Sequence, residues 1–242
     1  MRTITVSVFA LVASVMVPAS AVAQMTWTDK GYVSVSGGAQ AGSHTLTTAP
    51  AFRLYDEDGS LTTSQKVGGG GFFDLSGGYK VWHNLLLAVG VSHSGSSKDA
   101  TLTARVPDPL VFDRLRSVTA TLSGAKHSEN AVHFSAVWMV PITDKIDVGV
   151  SAGPSVFMVK QDLATGLTVT EPGPTVTGVA SSESKKTVGG FNAGVDVTYL
   201  LTKKIGAGVL ARYTGGSVKL PDATKSLTVG GFQFGVGLRY RF

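Results

Sequence analysis

From residue 31 to the end of the chain, apolar residues recur at every second position, not at the 3.6-residue spacing of a helix face. In the last segment Phe232, Phe234, Val236, Leu238, Tyr240 and Phe242 alternate with Gln233, Gly235, Gly237, Arg239 and Arg241. The same alternation puts Val132, Phe134, Ala136, Trp138 and Val140 on one side and His133, Ser135, Val137 and Met139 on the other. It recurs over Ile146 to Val156 and Phe191 to Tyr199. Successive strand residues point to opposite faces, so each such segment has one apolar face and one polar or very small face. The pattern predicts eight strands, at about 31–40, 67–81, 85–104, 117–140, 146–160, 187–201, 205–217 and 226–242.

The connections alternate in length. Trp82-His83-Asn84, Pro141 to Lys145 and Thr202-Lys203-Lys204 are short. The stretches around Phe52–Gly59, Arg105–Asp113 and Gln161–Lys186 are long, and Leu220-Pro221-Asp222 is a brief irregular break. An antiparallel meander joined in this way has two unlike ends, as transmembrane β-barrels do. Several segments exceed the ~9–11 residues that cross a bilayer, so their surplus is expected to project on the long-loop side.

Alternation alone does not separate a membrane barrel from a soluble one with its apolar face inside. Three features favour the membrane. The polar face carries tiny residues (Gly149, Ser151, Gly153, Gly206, Gly208, Gly235, Gly237) that suit the narrow interior of eight strands. Tyr79, Trp82, Trp138, Tyr199, Tyr240 and Phe242 cluster at the short-turn ends, as interfacial aromatics do. Asp74, Lys80, Asp147, Asp196, Arg212, Arg239 and Arg241 fall on the inward face, where they are expected to form a charge network across the lumen. Arg212 and Arg239, on neighbouring strands, are expected to pair with some of Asp74, Asp147 and Asp196.

Composition narrows the field further. The chain has 242 residues, a net charge of +5, 15% charged residues, 30 Gly and no Cys. That disfavours a disordered polyelectrolyte and excludes a disulfide framework and Cys-ligated metal or redox chemistry. The small basic excess does not point to nucleic acid. Met1-Arg2, the apolar run Ile4–Val17, Pro18 and Ala21-Val22-Ala23 form a signal-peptide pattern, with 24–242 as the barrel domain. Cleavage after Ala23 removes only Arg2 among the charges and leaves +4 on 219 residues.

The final strand, Phe234-Gly235-Val236-Gly237-Leu238-Arg239-Tyr240-Arg241-Phe242, resembles that of the small eight-stranded outer-membrane barrels of the OmpA, OmpX and OmpW kind. The likeness covers the rest of the chain in layout only. It implies an all-β, eight-stranded antiparallel up-and-down transmembrane barrel in the outer membrane of a Gram-negative bacterium. It implies outer-membrane lipid and lipopolysaccharide as surroundings, with periplasmic chaperones and the barrel assembly machinery as transient partners. Phe234, Val236, Leu238, Tyr240 and Phe242 correspond to the assembly signal. The chain stops at Phe242, which argues against a cell-wall-binding domain after the barrel. A monomer is expected.

Function is less legible. His133-Phe134-Ser135 is similar to the His-x-Ser of outer-membrane lipid A deacylases, and Glu129 shares their strand face. That face is turned to the lumen, away from any lipid ester. The His residues at 44, 83, 93, 127 and 133 have no metal-ligand spacing. Gly68–Gly71 lacks the Lys-Ser/Thr and helix of a phosphate loop and reads as a bend. Asp56-Glu57-Asp58-Gly59 reads as a hydrated turn. No catalytic residue, metal or cofactor is expected. The apolar tip Leu110-Val111-Phe112, with Lys98, Arg105, Arg114, Arg116 and Lys126 around it, is a candidate for contact with a partner or with lipopolysaccharide phosphates. The leading expectation is a structural or surface-interaction role carried by the loops. A narrow conduit for small molecules, hydrophobic ones included, of the OmpW kind, is the alternative.

Overall fold

A computed structural model describes residues 26–242, so the signal-peptide segment lies outside the described residues. All regular structure in them is strand: β1 Gly31–Ala41, β2 His44–Thr48, β3 Ala51–Leu54, β4 Glu57–Val67, β5 Gly70–Trp82, β6 Leu85–Pro107, β7 Leu115–Thr143, β8 Ile146–Thr170, β9 Thr175–Leu200, β10 Ile205–Val218 and β11 Leu227–Arg241. Eight of these form a closed antiparallel ring, in the order β1, β5, β6, β7, β8, β9, β10, β11 and back to β1. The seam pairs Tyr32 with Arg241 at one end and Ala41 with Phe232 at the other. Closure leaves no open edge at membrane depth, which a lipid-exposed sheet requires.

The ring is apolar outside. Val35, Leu75, Val89, Val150, Val195, Val209 and Val236 are exposed between two belts of aromatic side chains. Tyr79, Trp82, Trp138, Tyr199, Tyr240 and Phe242 make the belt at the short-turn end. Phe73, Phe191, Tyr213, Phe232 and Phe234 make the other. Within it Phe191, Tyr213 and Phe232 touch in series at 5.8 and 4.8 Å between ring centres. Phe232 and Tyr240 are eight residues apart, roughly 27 Å along a strand and about 20 Å once tilted, close to the apolar band of a membrane barrel. Residues that alternate with these face inward, so the expected eight-stranded transmembrane barrel is the observed one.

Two expected loops are strand. The chain between β1 and β5 folds into β2, β3 and β4, and β4 pairs with the upper part of β6, from Ser60 opposite Arg105 to Gln65 opposite Ala100. Residues 161–186 continue the β8–β9 hairpin almost to its tip, where Thr170 pairs with Thr175. Three buried clusters follow the axis. Trp27, Tyr32, Leu86, Ala88, Val137 and Met139 pack near the short-turn end. Phe157, Val159, Val218, Leu227 and Val229 pack with Leu46 and Val67 toward the other mouth. Above the membrane band, Leu61, Leu102, Val106, Val118 and Ala164 pack the hairpin tops together. The third cluster explains how strands this long stand free of lipid: their inward faces have their own apolar core.

Gly68, Gly69 and Gly70 have φ of +91, +70 and +127°, and they turn the chain from β4 down into β5. This left-handed run requires glycine. The four glycines at 68–71 are thus a bend at the strand entry.

Candidate functional site

The lumen is where the charged residues meet. Arg212 Nη2 donates to Asp74 Oδ2 at 2.7 Å. Arg239 Nη2 lies 2.6 Å from Asp196 Oδ1, and its guanidinium sits 4.4 Å from the centre of the Tyr32 ring. Arg241 Nη1 donates to Asp147 Oδ2 at 2.7 Å and its Nη2 pairs with Asp29. Each arginine thus takes a different aspartate from those the alternation placed inside. Lys80 does not join them. Its ammonium donates to the carbonyls of Trp27 and Thr28, at 2.8 and 3.4 Å, and it is in no ion pair among the described residues. The strand irregularity between Lys80 and Trp82 places it at the short-turn rim, where the incoming segment 26–30 offers backbone acceptors.

A chain of amides continues from this centre toward the long-hairpin mouth. Arg212 Nε donates to Gln233 Oε1 at 2.8 Å, and Gln233 Nε2 donates to Gln40 Oε1 at 2.8 Å. Gln40 Nε2 donates to Glu129 Oε2 at 3.2 Å, and the backbone N–H of Gly230 reaches the same oxygen at 3.0 Å. The other carboxylate oxygen of Glu129 meets His127 Nε2 at 2.9 Å. His127 Nδ1 lies 2.8 Å from Gln161 Oε1, and Gln161 Nε2 donates to Gln65 Oε1 at 2.9 Å. All these side chains are buried. The amides of Gln233 and Gln40 each accept from one neighbour and donate to the next, which is how a buried polar network avoids unsatisfied groups.

His133 and Ser135 do not form a nucleophilic pair. His133 exchanges hydrogen bonds with Ser92 and Ser155, at 2.9 and 2.8 Å, while Ser135 donates to Asn192 at 2.8 Å. Glu129 belongs to His127, one turn of the pleat away. The cavity beside them, lined by Ser34, Ser36, Asp74, His133, Asn192 and Arg239 among others, has a volume of about 50 Å³. That is room for a few waters and no larger molecule. Above it stand the glutamine series and the Phe157 cluster, and below it Trp27, which is 1% exposed.

Beyond the membrane band, three hairpin ends are tied together. Arg116 Nη1 donates to Glu171 Oε2 at 2.8 Å, and Nη2 donates to Glu171 Oε1 and to the carbonyl of Pro107. This bidentate pair joins the β6–β7 hairpin to the β8–β9 tip. The Tyr55 hydroxyl, in the β3–β4 turn, donates to the same glutamate at 3.5 Å. The Arg116 hydrogen bonds hold the Glu171 carboxyl below its ordinary range. The backbone N–H of Leu110, with Arg116 and Arg114 nearby, does the same for Asp108. Both groups bind their protons more weakly folded than unfolded. Their contribution is therefore present above the ordinary carboxylate range and is lost as pH falls through the folded values. Limited proteolysis is expected to cut the hairpin ends readily only in acid for the native chain, and already at neutral pH for Arg116→Ala. Equal resistance of the two proteins at neutral pH would show that the tie does not hold the ends.

Of the basic residues around this hairpin, Arg116 is thus engaged, Arg114 lies 3.9 Å from Asp108, and Lys98 donates to the carbonyl of Gly68 at 3.3 Å. Arg105 and Lys126 are exposed on the outer wall. Leu110 and Phe112, at the tip, are 91% and 74% exposed.

A closed ring with a lipid-compatible wall and a filled interior is now in view, and comparison with known proteins gives it a family. The family model described as outer membrane protein beta-barrel domain matches residues 7–242. The chain belongs to the outer-membrane β-barrel domain family. Among solved structures it is similar to neisserial surface protein A, with 15% identity, 88% of this chain and 97% of that one covered, and a TM-score of 0.44. It is similar to the N-terminal β-barrel domain of Pseudomonas aeruginosa OprF, at 12% identity, 89% and 100% coverage and a TM-score of 0.42. It is also similar to the outer membrane protease OmpT of Escherichia coli, at 12% identity, 90% and 98% coverage and a TM-score of 0.45. No curated protein sequence matches the chain. In an outer-membrane barrel the short turns face the periplasm and the long hairpins face outward.

Proposed function

We propose that this barrel is a closed outer-membrane protein whose work is done by its raised extracellular hairpins at the cell surface. The observation that carries the reading is the filled lumen. Three buried arginine–aspartate pairs and a glutamine series cross it, and apolar clusters stand at both ends. What remains exposed and irregular is outside: the tied hairpin ends and the apolar tip Leu110-Val111-Phe112. Function on a rigid scaffold concentrates in such segments.

The reading includes export through a cleaved signal at residues 1–23 and residence in the outer membrane of a Gram-negative cell. Lys126, opposite Ser97 and eight residues of β6 below Arg105, is offered to lipopolysaccharide phosphates, which suit it. Phe234, Val236, Leu238 and Tyr240 on β11, and Phe242 just after it, are all exposed, available to the barrel assembly machinery before lipid covers them. Swelling of proteoliposomes in a small sugar tests the closed lumen. Vesicles carrying the folded barrel are expected to swell no faster than empty ones. Swelling that tracks the amount of folded barrel would favour the conduit and overturn the reading.

A further inference from the structure

Above the membrane band the barrel wall splits. The β7–β8 ladder ends at His127 opposite Gln161, whereas β6–β7 pairing continues to Pro107 opposite Leu115. Residues 115–126 of β7 are therefore paired on one edge only. The β9–β10 ladder likewise covers only Gly190–Leu200 of β9, and residues 175–189 are paired to β8 alone. Among the described residues no ladder covers either free edge.

These two edges border one groove of about 670 Å³. Every residue from Ser117 to Ser123 lines it, and every residue from Pro174 to Val179. A strand face would contribute alternate residues, so an unbroken run means that the backbone edge itself is presented. A free edge is a row of N–H and C=O groups with no partner, and its natural ligand is another strand. Native sheets blunt such edges with charges, proline or bulges. Pro174 and a register shift opposite Thr177 interrupt the β9 edge near the hairpin tip, and a second shift follows Leu122 on β7. Here no charged side chain lines the groove; Glu183, Lys185 and Lys186 stand lower on β9. The side chains carry a simple code. Val118, Ala120 and Leu122 belong to the inner apolar cluster with Val176 and Val179, while Thr119, Thr121, Thr175 and Thr177 are exposed.

We infer that this groove takes an extended, uncharged polypeptide segment by strand addition, with alternate apolar residues turned inward and alternate hydroxyl or small residues turned outward. The inference rests on the surface-interaction reading and names its partner class. Main-chain hydrogen bonds supply the attachment and the two side-chain rows supply the selectivity. Both walls of the groove come from a single chain, so it admits a single strand more readily than the edge of a whole second barrel. A saccharide offers no repeating row of N–H and C=O groups to match the edges.

The test uses the full chain refolded in lipid nanodiscs. The probe is a capped peptide of three Thr-Val repeats with a lysine at each end, and its twin is N-methylated at alternate residues so that one edge lacks N–H groups. Hydrogen exchange is the readout. The plain peptide is expected to protect amides within 117–123 and 175–179, and the methylated twin to bind at least about tenfold more weakly. Absence of protection at saturating peptide overturns the inference. So does equal binding of the twin, which would mean side-chain docking without strand pairing. Protection present before any peptide, in a protein that runs as a dimer, would assign the edges to a second copy. Strand addition and the closed lumen fail separately, because vesicle swelling is blind to the groove and hydrogen exchange at 117–123 is blind to the lumen.

Discussion

Replacing Arg212 with alanine is expected to destabilise the folded barrel by about 3–5 kcal/mol, the usual cost of removing one partner from a buried ion pair. Arg212 and Asp74 are both nearly fully buried, on β10 and β5, and their contact crosses the lumen. Removing the guanidinium leaves the Asp74 carboxylate without its counter-charge and Gln233 Oε1 without its donor. The glutamine series then loses its anchor at the membrane centre. Urea unfolding in vesicles, followed by the gel shift between heated and unheated samples, measures the loss. Adding Asp74→Asn to the alanine variant is expected to recover part of it, since a neutral amide costs less to bury than a lone carboxylate. A loss below about 1 kcal/mol would place the pair with solvent-screened salt bridges and show that water fills the centre.

Gly38→Val is expected to abolish the folded form altogether. Gly38 lies in the β1–β11 seam, opposite Gly235, where the ring closes. A Cβ there would stand 2.0 Å from the carbonyl oxygen of Phe234 and 2.6 Å from the Cα of Gly235. Ordinary overpacking costs roughly 1–3 kcal/mol because side chains yield. Here the obstructing atoms are backbone of the partner strand, so relief means opening the ladder that closes the barrel. The heat-modifiable band is expected to vanish for valine and to weaken for alanine. A valine variant that folds to the native extent would show that the seam opens at this level without loss.

The wall of the barrel was legible in the sequence because lipid imposes a sharp rule. Val, Leu and Phe must alternate with small or polar residues, and residues such as Phe232 to Phe242 do so without a break. Above the membrane the rule relaxes. There β4 turns Leu61, Thr63 and Gln65 inward, a weakly apolar pattern that reads as loop. The turn expected at Asp56–Gly59 is displaced toward the N-terminus: Glu57–Gly59 begin β4, and the β3–β4 turn is Tyr55–Asp56. Tyr55 and Asp56 both take positive φ, a conformation usually signalled by Asn-Gly. Inside the lumen, charge made the arginines and aspartates visible, but alternation fixes only a face and never a partner. Gln40, Gln65, Gln161 and Gln233 carry no charge and no motif, yet through Glu129 and His127 they form one connected series. Lys80 was misplaced because its inward parity says nothing about height, and at the rim the backbone of Trp27 and Thr28 supplies its acceptors. Trp27 itself lies before the alternation begins, so its burial had no sequence signal.

Single-channel recording of the refolded native chain in a planar bilayer tests the closed lumen most directly, with the gel shift confirming folding in the same preparation. The ion pairs, the glutamine series and the two apolar clusters predict a silent membrane at every amount of folded protein. Discrete conductance steps that scale with the heat-modifiable band would contradict a closed barrel and transfer the function from the hairpins to the lumen.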